Sequence, residues 1–341
     1  MNGLKIFLLF CVSVGALTAA ETLTQKALNQ RLEPIPADIQ VLLSYISDKN
    51  DPISDEKIEL GKKLYFDPRL SKSGIISCNT CHNLALGGVD GVETSIGHGW
   101  TMNPNHLNAP SVYNSVFNKV QLWDGRSSHL EVQAQSPIQS DAEMAASSEL
   151  VVARIVSIPE YVADFKKAYG KDTKITFEKI ASAIGVFERT LVTPSPYDDF
   201  LNGDEKALNK KQKEGFEVFL EKGCTKCHYG IALGGTMQQF QVAAKYKFIE
   251  LGDFRGDKYG MVKTPTLRNI AETAPYFHNG QIWSLQDAVK EMASIQLGIK
   301  ISDKEAKQIM DFMHSLTGRK PVLTYPILPP STAKTPKPDM N

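Results

Sequence analysis

Three features are scarce in this sequence: cysteines outside one motif, long apolar segments and an excess of either charge. The 341 residues include 38 basic and 38 acidic side chains, so the formal net charge is zero. A nucleic-acid-binding protein would need a basic excess, so the composition disfavours that class. Of five cysteines, four fall in two Cys-x-x-Cys-His motifs and the fifth is Cys11, which leaves none for a disulfide framework.

The first twenty residues have the pattern of a cleaved signal peptide. Lys5 supplies the positive charge, "IFLLFCVSVGAL" the apolar region, and "TAA" the small residues before a cleavage site near Ala20. This run is too short to span a bilayer, and no later segment is apolar enough to do so. Phe10 before Cys11 disfavours a lipoprotein-type cleavage. We therefore expect an exported protein without a membrane span, which in a bacterium means the periplasm.

Two copies of one motif carry the chemistry. The motif residues are Cys78, Cys81 and His82 in the first copy, and Cys224, Cys227 and His228 in the second. Cys-x-x-Cys-His is typical of c-type haem attachment, because two thioethers hold the porphyrin edge while the adjacent histidine binds iron. A redox cysteine pair would not explain both histidines, and a four-cysteine zinc site would have to join pairs 146 residues apart, from position 78 to position 224. The sequence predicts two covalent haems with His82 and His228 as proximal ligands.

An internal repeat indicates the domain organisation. The segment "APSVYNSVFNKVQLWDGRSSHL" (109–130) aligns without gaps on "TPTLRNIAETAPYFHNGQIWSL" (264–285), an offset of 155 that matches Asn114 with Asn269. Such a repeat suggests duplication of one haem-binding unit. Helix caps followed by apolar residues at helical spacing recur, and period-two alternation is scarce, so we predict an all-α fold of two cytochrome c-like domains. The predicted parts are a signal peptide (1–20), an N-terminal haem domain (21–193), a C-terminal haem domain (194–319) and an irregular tail packing back on the N-terminal domain (320–341).

Six segments occur in a fixed order around the haem motifs: "ETSIGHGW", "NAPSVYNSVFN", "LWDGR", "EM", "TPTLRNIAETAPYFHNGQIW" and "MASIQLG". Together they resemble the bacterial dihaem cytochrome c peroxidase family, and the likeness covers nearly all of the chain after the signal peptide. The resemblance implies an enzyme that reduces hydrogen peroxide to two waters, with electrons from a small periplasmic cytochrome c or blue-copper protein. It also implies a peroxidatic N-terminal haem and a high-potential C-terminal haem where electrons enter.

The resemblance assigns the residues of the peroxidatic site. It gives His98 as the distal ligand that closes the first iron, and the glycines on either side favour His98 over the competing His106. Gln133 and Glu143 match the distal-pocket pair of the family, with Glu143 as the acid–base group and Gln133 as the polar partner that orients peroxide. Reduction of the second haem would release His98, although some relatives are active when fully oxidised.

The second haem needs a different distal ligand. The candidates are Met237, Met261, Met292 and His278. A methionine opposite a histidine raises the haem potential, and the resemblance gives Met292 the ligand position, with Met261 as the alternative. Trp123 in "LWDGR" matches a tryptophan that lies between the two haems in the family, which implies an electron conduit; a packed core aromatic is the alternative interpretation.

The resemblance further implies a calcium ion between the domains. Asn108 would give a side-chain oxygen, and Thr273 and Pro275 would give backbone carbonyls.

Homodimers are common in the family. Two other functions stay open: a dihaem electron carrier without peroxidase activity, which Gln133 and Glu143 disfavour, and a dihaem oxidase that modifies a partner protein. The methylamine-utilisation oxidase has a tyrosine where this chain has Met292.

Overall fold

The computed structural model describes residues 21–341, so the predicted signal peptide at 1–20 lies outside the described residues. The α-helices are α1 (Leu23–Asn29), α2 (Ile39–Ile46), α3 (Asp55–Phe66), α4 (Cys78–Cys81), α5 (Leu130–Gln133), α6 (Gln135–Gln139), α7 (Ser148–Val156), α8 (Pro159–Tyr169), α9 (Phe177–Arg189), α10 (Pro196–Leu201), α11 (Lys210–Glu221), α12 (Leu285–Met292) and α13 (Asp303–His314). The 3₁₀ helices are Pro68–Leu70, Leu84–Leu86, His98–Trp100, Ser115–Phe117, Cys224–Lys226 and Ile270–Glu272, and Ala293–Leu297 is a π-helical segment. Within residues 21–341, no helix is both long and apolar enough to cross a membrane.

The first hydrophobic core forms where α3 crosses α9. Both helices begin at a capping hydroxyl: Ser54 accepts the N–H of Lys57, and Thr176 accepts the N–H of Lys179. Helices α7 and α8 pack on this pair and complete the core. Its fully buried side chains include Leu64, Tyr65, Val151, Ile155, Phe165, Ile180, Ile184 and Phe187. The apolar residues of α9 recur at helical spacing, which is why one face of this helix is buried.

The second core forms where α11 crosses α13. Capping boxes at Asn209 and Ser302 begin the two helices, as the sequence predicts for Ser302. Phe216 and Phe312 stack across the crossing, with ring centroids 4.4 Å apart. Helices α10 and α12 add further apolar side chains to this core. Each helical core therefore rests on one pair of crossed, capped helices.

Residues 21–35 pack mainly on the second core. Ala27 and Leu32 are buried there, and the Arg31 guanidinium lies 3.8 Å from the centroid of the Tyr229 ring. Leu32 also pairs with Gly230 in an isolated β-bridge. The N-terminal domain predicted at 21–193 thus begins with a segment that packs on the other domain. Local composition could not indicate this, because the contact joins residues about two hundred positions apart.

Both helix crossings depend on a glycine. A Cβ at Gly61 in α3 would overlap the carbonyl oxygen of Ala183 in α9, and a Cβ at Gly215 in α11 would overlap the carbonyl oxygen of Gln308 in α13. Glycine has no side chain, so it allows the two backbones to touch. The same device therefore sets the helix separation in both cores.

The backbone conformations recur at the 155-residue spacing of the sequence repeat. Asn114 and Asn269 both adopt a left-handed φ of 60° and precede a 3₁₀ helix. Their side-chain amides both donate to Thr193 Oγ1, at 2.7 and 2.9 Å. Matching bridges and left-handed residues follow: Gln121–Ser127 with Tyr276–Ile282, Leu122 with Phe277, and Gly125 with Gly280. The two loops share one conformation and one anchoring residue.

One feature is absent from the all-α prediction, namely a two-stranded antiparallel sheet. Strand β1 (Met237–Gln239) pairs with β2 (Met261–Lys263), and Met237 lies opposite Lys263. Each strand has three residues, too few to produce a recognisable alternation in the sequence. The chain is therefore helical in both cores and has this short sheet in addition.

The C-terminal tail lies on the first core through one buried arginine. Arg154 in α7 is 1% exposed, and its guanidinium donates to the carbonyls of Arg69 and Lys72 in the core segment and of Pro336 and Lys337 in the tail. A guanidinium offers five donors in a fixed fork, which suits several carbonyls at once. The end of the tail is thereby held against the N-terminal helices.

The glycine contacts give a prediction with a definite sign. Replacing a helical glycine by alanine normally stabilises a helix by ~1 kcal/mol. At Gly61 and Gly215 we expect the opposite, because the new methyl group must push two backbones apart: Gly61→Ala and Gly215→Ala should each lower the free energy of unfolding by about 1–3 kcal/mol. Denaturant unfolding of the holoprotein checks this, with the exposed Lys211→Ala as the control. Stabilisation by either glycine substitution would contradict the close helix contact.

Candidate active site

The first Cys-x-x-Cys-His motif forms one short capped helix. Thr80 Oγ1 accepts the Ser77 N–H at 2.9 Å, which closes the N-terminal turn of α4. Cys78 and Cys81 lie three residues apart and so share one face of the helix. Burial raises the pKa of Cys81 to about 12 and also raises the pKa of Cys78, so neither is poised as the thiolate that zinc or redox chemistry needs. Within residues 21–341, no group of three or more His, Cys, Asp or Glu residues could hold a metal ion.

The two proximal histidines are oriented in the same way. His82 Nδ1 lies 2.9 Å from the Pro110 carbonyl oxygen, and His228 Nδ1 lies 3.0 Å from the Leu233 carbonyl oxygen. A carbonyl only accepts, so Nδ1 donates and Nε2 keeps the lone pair that binds a metal. Burial lowers the pKa of both rings, that of His228 to about 4, so both are neutral at pH 7. Both motifs therefore fit the covalent haem that their sequence predicts.

A large apolar cavity opens beside the second motif. It measures about 1600 Å³, including the part open to solvent, and is lined by Cys224, Cys227, His228 and Met292. Its walls come from the segment 262–278, with further apolar side chains from α11, α12 and α13. An apolar crevice with two thiols, one histidine and one methionine has the donor set of a low-spin c-type haem.

The cavity separates the three candidate methionines. Met292 lines it, whereas Met237 and Met261 do not. Met237 Sδ packs instead where a Cβ on Gly125 would stand, and Met261 pairs with Gln239 in the sheet. Met292 is the last residue of α12, just before the π-helical segment, a distortion that is frequent at functional sites.

The fourth candidate, His278, also lines the cavity but is packed among aromatic rings. The centroids of four rings lie 5.3–6.4 Å from that of His278, namely Trp123, Phe240, Tyr246 and Phe254. Burial lowers the pKa of His278 to about 4, so its ring is neutral. These contacts suit a structural aromatic in the wall of the cavity.

Near the first motif, His98 lies on a loop that packs on the Glu143 segment. The His98 N–H donates to the Glu143 carbonyl at 2.6 Å, and a Cβ at Gly97 would overlap the Ala142 carbonyl. His98 Nε2 lies 3.4 Å from the Asn341 carbonyl oxygen, and Nδ1 is buried without a hydrogen-bond partner among the described residues. The loop therefore touches both the Glu143 segment and the end of the tail.

Glu143 is a half-buried acid beside the first motif. Burial raises the pKa of Glu143, while the positive charge of Arg126 acts in the opposite direction. The Glu143 carboxylate also helps to raise the pKa of Cys81, because the two groups are close. Gln133 ends α5 and is half-buried, and its amide makes no hydrogen bond to another described residue. The structure thus brings Glu143, His98 and Cys81 into one region.

The competing His106 lies elsewhere. It has a left-handed φ of 49°, and its N–H donates to the Asn103 carbonyl at 3.0 Å. Its Cβ packs where a Cβ on Gly252 would stand, against a loop of the second domain. Of the two histidines, His98 is the one that lies on the Glu143 segment.

Trp123 and Asn108 join the two domains. Trp123 Nε1 donates to the Asn108 carbonyl at 3.0 Å, and the Trp123 carbonyl accepts the Lys263 N–H at 2.8 Å. The Trp123 ring also lines the cavity of the second motif. The Asn108 N–H donates to the His278 carbonyl at 2.7 Å, and its side-chain amide donates to the Pro275 carbonyl at 2.7 Å. Of the three predicted calcium ligands, two are therefore in contact, and Thr273 is two residues from Pro275.

Comparisons with known proteins identify the family of the chain. A di-haem cytochrome c peroxidase model matches residues 55–206, and a cytochrome c model matches residues 212–317. A cytochrome c551 peroxidase of Pseudomonas aeruginosa is 46% identical over 318 residues, which are 90% of either chain. The chain belongs to the dihaem cytochrome c peroxidase family. Its c-type haem motifs and helical domains are those of this family.

The dihaem cytochrome c peroxidase family also includes more distant relatives. The methylamine utilization protein MauG of Methylorubrum extorquens is 33% identical and matches 93% of this chain and 94% of its own length. A solved MauG-like protein associated with microbial copper homeostasis superposes with a TM-score of 0.68 at 26% identity, covering 80% of this chain and 92% of that one. The same architecture therefore also occurs in proteins that are not named peroxidases.

Glu188 in α9 is a buried acid that the sequence analysis did not identify. It is 5% exposed, and its Oε2 atom has no hydrogen-bond partner among the described residues. Burial, assisted by the nearby Glu131 carboxylate, raises the pKa of Glu188 to about 8. The Glu188 carboxylate also helps to raise the pKa of the buried Cys78 thiol, so Glu188 lies close to the first motif. The available signal was its position one turn after Ile184 on the apolar face of the helix.

The raised pKa of Glu188 makes stability depend on pH. The unfolded chain loses this proton near the ordinary value of 4.5, whereas the native state keeps it up to about 8. Stability is therefore lost as pH rises through this window, by up to about 1.4 kcal/mol per pH unit. Glu188→Gln should remove the loss, so its stability advantage over the wild type should grow between about pH 5 and about pH 8.

Thermal unfolding of the two holoproteins across this range measures the effect. Glu178→Gln is the matched control, because this exposed carboxylate at the start of the same helix has a lowered pKa and its loss should bring no such gain. A Glu188→Gln advantage that does not change with pH would contradict the buried, protonated state.

Proposed function

We propose that the protein is an exported periplasmic enzyme that reduces hydrogen peroxide to water, with electrons from a small cytochrome c or blue-copper protein. The observation that carries this proposal is the juxtaposition of the His98 loop with Glu143 beside the first haem motif. A half-buried carboxyl beside the first motif suits proton transfer to peroxide, a step that an electron carrier does not perform. The bound haems would supply the iron for peroxide and the store of electrons.

Glu143 is proposed as the acid–base group. Its raised pKa favours a carboxyl that can hold a proton closer to neutral pH than an exposed glutamate can. It would take a proton from one peroxide oxygen and give it to the other, so that the departing atom leaves as water. Gln133, at the end of α5, would orient peroxide through its unpaired side-chain amide.

His98 is proposed as a removable ligand of the first haem. Its loop contacts the Glu143 segment through the backbone, so a movement of His98 would also change the surroundings of Glu143. The neighbouring Gly99 has a left-handed φ of 70°, a conformation that other residues rarely adopt. Such a loop can act as a two-state element that reduction of the second haem biases toward opening.

At the second motif, His228 and Met292 are proposed as the two residues that would hold the haem iron permanently. This assignment is supported by Met292 lining the same cavity as His228, when Met237 and Met261 do not. A histidine–methionine pair raises the haem potential, which suits the site where electrons enter. Trp123 would carry electrons from the second haem to the first, since it lines this cavity although it belongs to the N-terminal domain.

A calcium ion between the domains is part of the proposal. Asn108 and the Pro275 carbonyl are already 2.7 Å apart. Asn108 would give its side-chain oxygen, and Pro275 and Thr273 would give backbone carbonyls, since calcium prefers such hard oxygen ligands with waters completing the shell. The ion would then hold together the loops that carry Trp123 and His278.

We also infer an origin by internal duplication. The paired asparagines anchored on Thr193, the matching bridges at the 155-residue spacing and the glycine at each helix crossing support one ancestral unit. The boundaries proposed for the two haem domains remain 21–193 and 194–319. The first segment of the N-terminal domain packs on the C-terminal domain, and the tail after the C-terminal domain packs on the N-terminal domain.

The proposed role of Glu143 predicts a specific loss. Glu143→Gln keeps the shape but cannot shuttle a proton, so peroxide turnover with a reduced donor should fall by about 10²–10⁴. Steady-state assays measure this, while optical spectra should show both haems unchanged. Glu149→Gln, at an exposed glutamate six positions later, should keep full turnover. A fully active Glu143→Gln protein would instead favour the electron-carrier function or another acid.

The proposed role of His98 predicts an activation step. The oxidised protein should react with peroxide slowly, because His82 and His98 would both hold the iron of the first haem, and the half-reduced protein should react rapidly. His98→Ala should be rapid in both states, whereas the competing His106→Ala should behave as the wild type. Stopped-flow mixing with peroxide distinguishes these cases, and equal rates in the two states of the wild type would exclude the removable ligand.

A further inference from the structure

Lys263 is a buried lysine whose charge has no partner. The residue is 4% exposed, and its amino group makes no hydrogen bond or ion pair within residues 21–341. Burial lowers the pKa of Lys263 to about 8, with no carboxylate acting against the shift. An unpaired ammonium group is among the most costly groups to bury, so its presence calls for an anion.

The other buried cations of the described chain all have partners. Lys57 pairs with Asp51, Lys62 with Glu59, Arg189 with Glu131 and Arg268 with Asp198, and Arg154 donates to backbone carbonyls. Lys263 differs from all of these. The missing anion is therefore a specific feature of its surroundings and not a general property of buried cations in this chain.

The location of Lys263 indicates the source of that anion. Lys263 is among the residues that line the cavity with His228 and Met292, and its backbone N–H donates to the Trp123 carbonyl. Pro110, whose carbonyl orients His82, lines the same cavity. The positive charge of Lys263 also acts on His82 and helps to lower its pKa. Lys263 thus lies between the two haem motifs.

A c-type haem carries two propionate carboxylates, and the cavity is where the second haem would bind. We propose that Lys263 forms an ion pair with a haem propionate at the domain interface and that its charge raises the reduction potential of that haem. The proposal rests on the two haems of the proposed function. It makes Lys263 a positioning residue, since it acts on the haem edge and contacts neither peroxide nor the iron.

The direction of the effect follows from electrostatics. Reduction adds one negative charge to the haem, and a nearby buried cation stabilises the reduced form because little water screens it. Removing that charge should therefore favour the oxidised form. A tenfold shift in the one-electron equilibrium corresponds to 59 mV.

The experiment is a spectroelectrochemical titration of the purified dihaem protein without peroxide. In Lys263→Met, we expect the equilibrium constant for reduction of one haem to fall at least tenfold, which lowers its reduction potential by 59 mV or more. The haem that shifts identifies the source of the propionate. Lys263→Arg should stay near the wild-type potential, and Lys258→Met, which removes an exposed charge from the loop before β2, should shift neither haem.

Lys263→Gln keeps the proposal testable if the methionine variant does not accumulate, because it removes the charge and keeps a polar side chain. Wild-type potentials for both haems in the variant that is obtained, or an equal shift in Lys258→Met, would overturn the ion pair. The readout is independent of turnover. Failure of the Glu143 assay would leave this result standing, and failure of this titration would leave the peroxidase proposal standing.

Discussion

Both haem motifs depend on one kind of interaction, a hydrogen bond from the proximal histidine ring to a main-chain carbonyl. The Pro110 and Leu233 carbonyls fix the rings of His82 and His228 and keep the metal-binding nitrogen unprotonated. A ring that could rotate or take up a proton would not hold iron in a fixed position. Both carbonyls belong to loop residues and not to helices, so the fold must fix those loops as firmly as it fixes the helices.

Local signals were sufficient to predict the haem motifs and several helices. The caps at Ser54, Thr176 and Ser302 begin helices as the sequence indicates, because a cap needs only neighbouring residues. The short sheet escaped prediction since its register is set between residues more than twenty positions apart. The packing of residues 21–35 on the second domain escaped for the same reason, as it depends on surfaces that only exist once both domains fold.

Buried charges show a different limit of sequence interpretation. Glu188 and Lys263 are ordinary charged residues in the sequence, and charged residues are usually exposed. Their pKa values are altered by burial, assisted at Glu188 by the Glu131 carboxylate, and both causes are properties of the folded chain. The calcium groups are equally hidden, because the Pro275 carbonyl carries no residue-type signal. The family resemblance implied that Asn108 is a calcium ligand, and composition and spacing could not have indicated this.

The two haem sites differ in how their proposed distal ligands are mounted. Met292 ends a helix whose buried face packs in the second core, so moving it would disturb that packing. His98 lies on a glycine-flanked loop, and its ring nitrogen faces the carbonyl of the terminal Asn341. A movement of His98 would therefore involve a loop and not a core helix, and the Asn341 carbonyl offers its ring an acceptor nearby. The proposed division into a permanent carrier and a site that opens therefore rests on this difference in distal mounting, because the two proximal histidines are held in the same way.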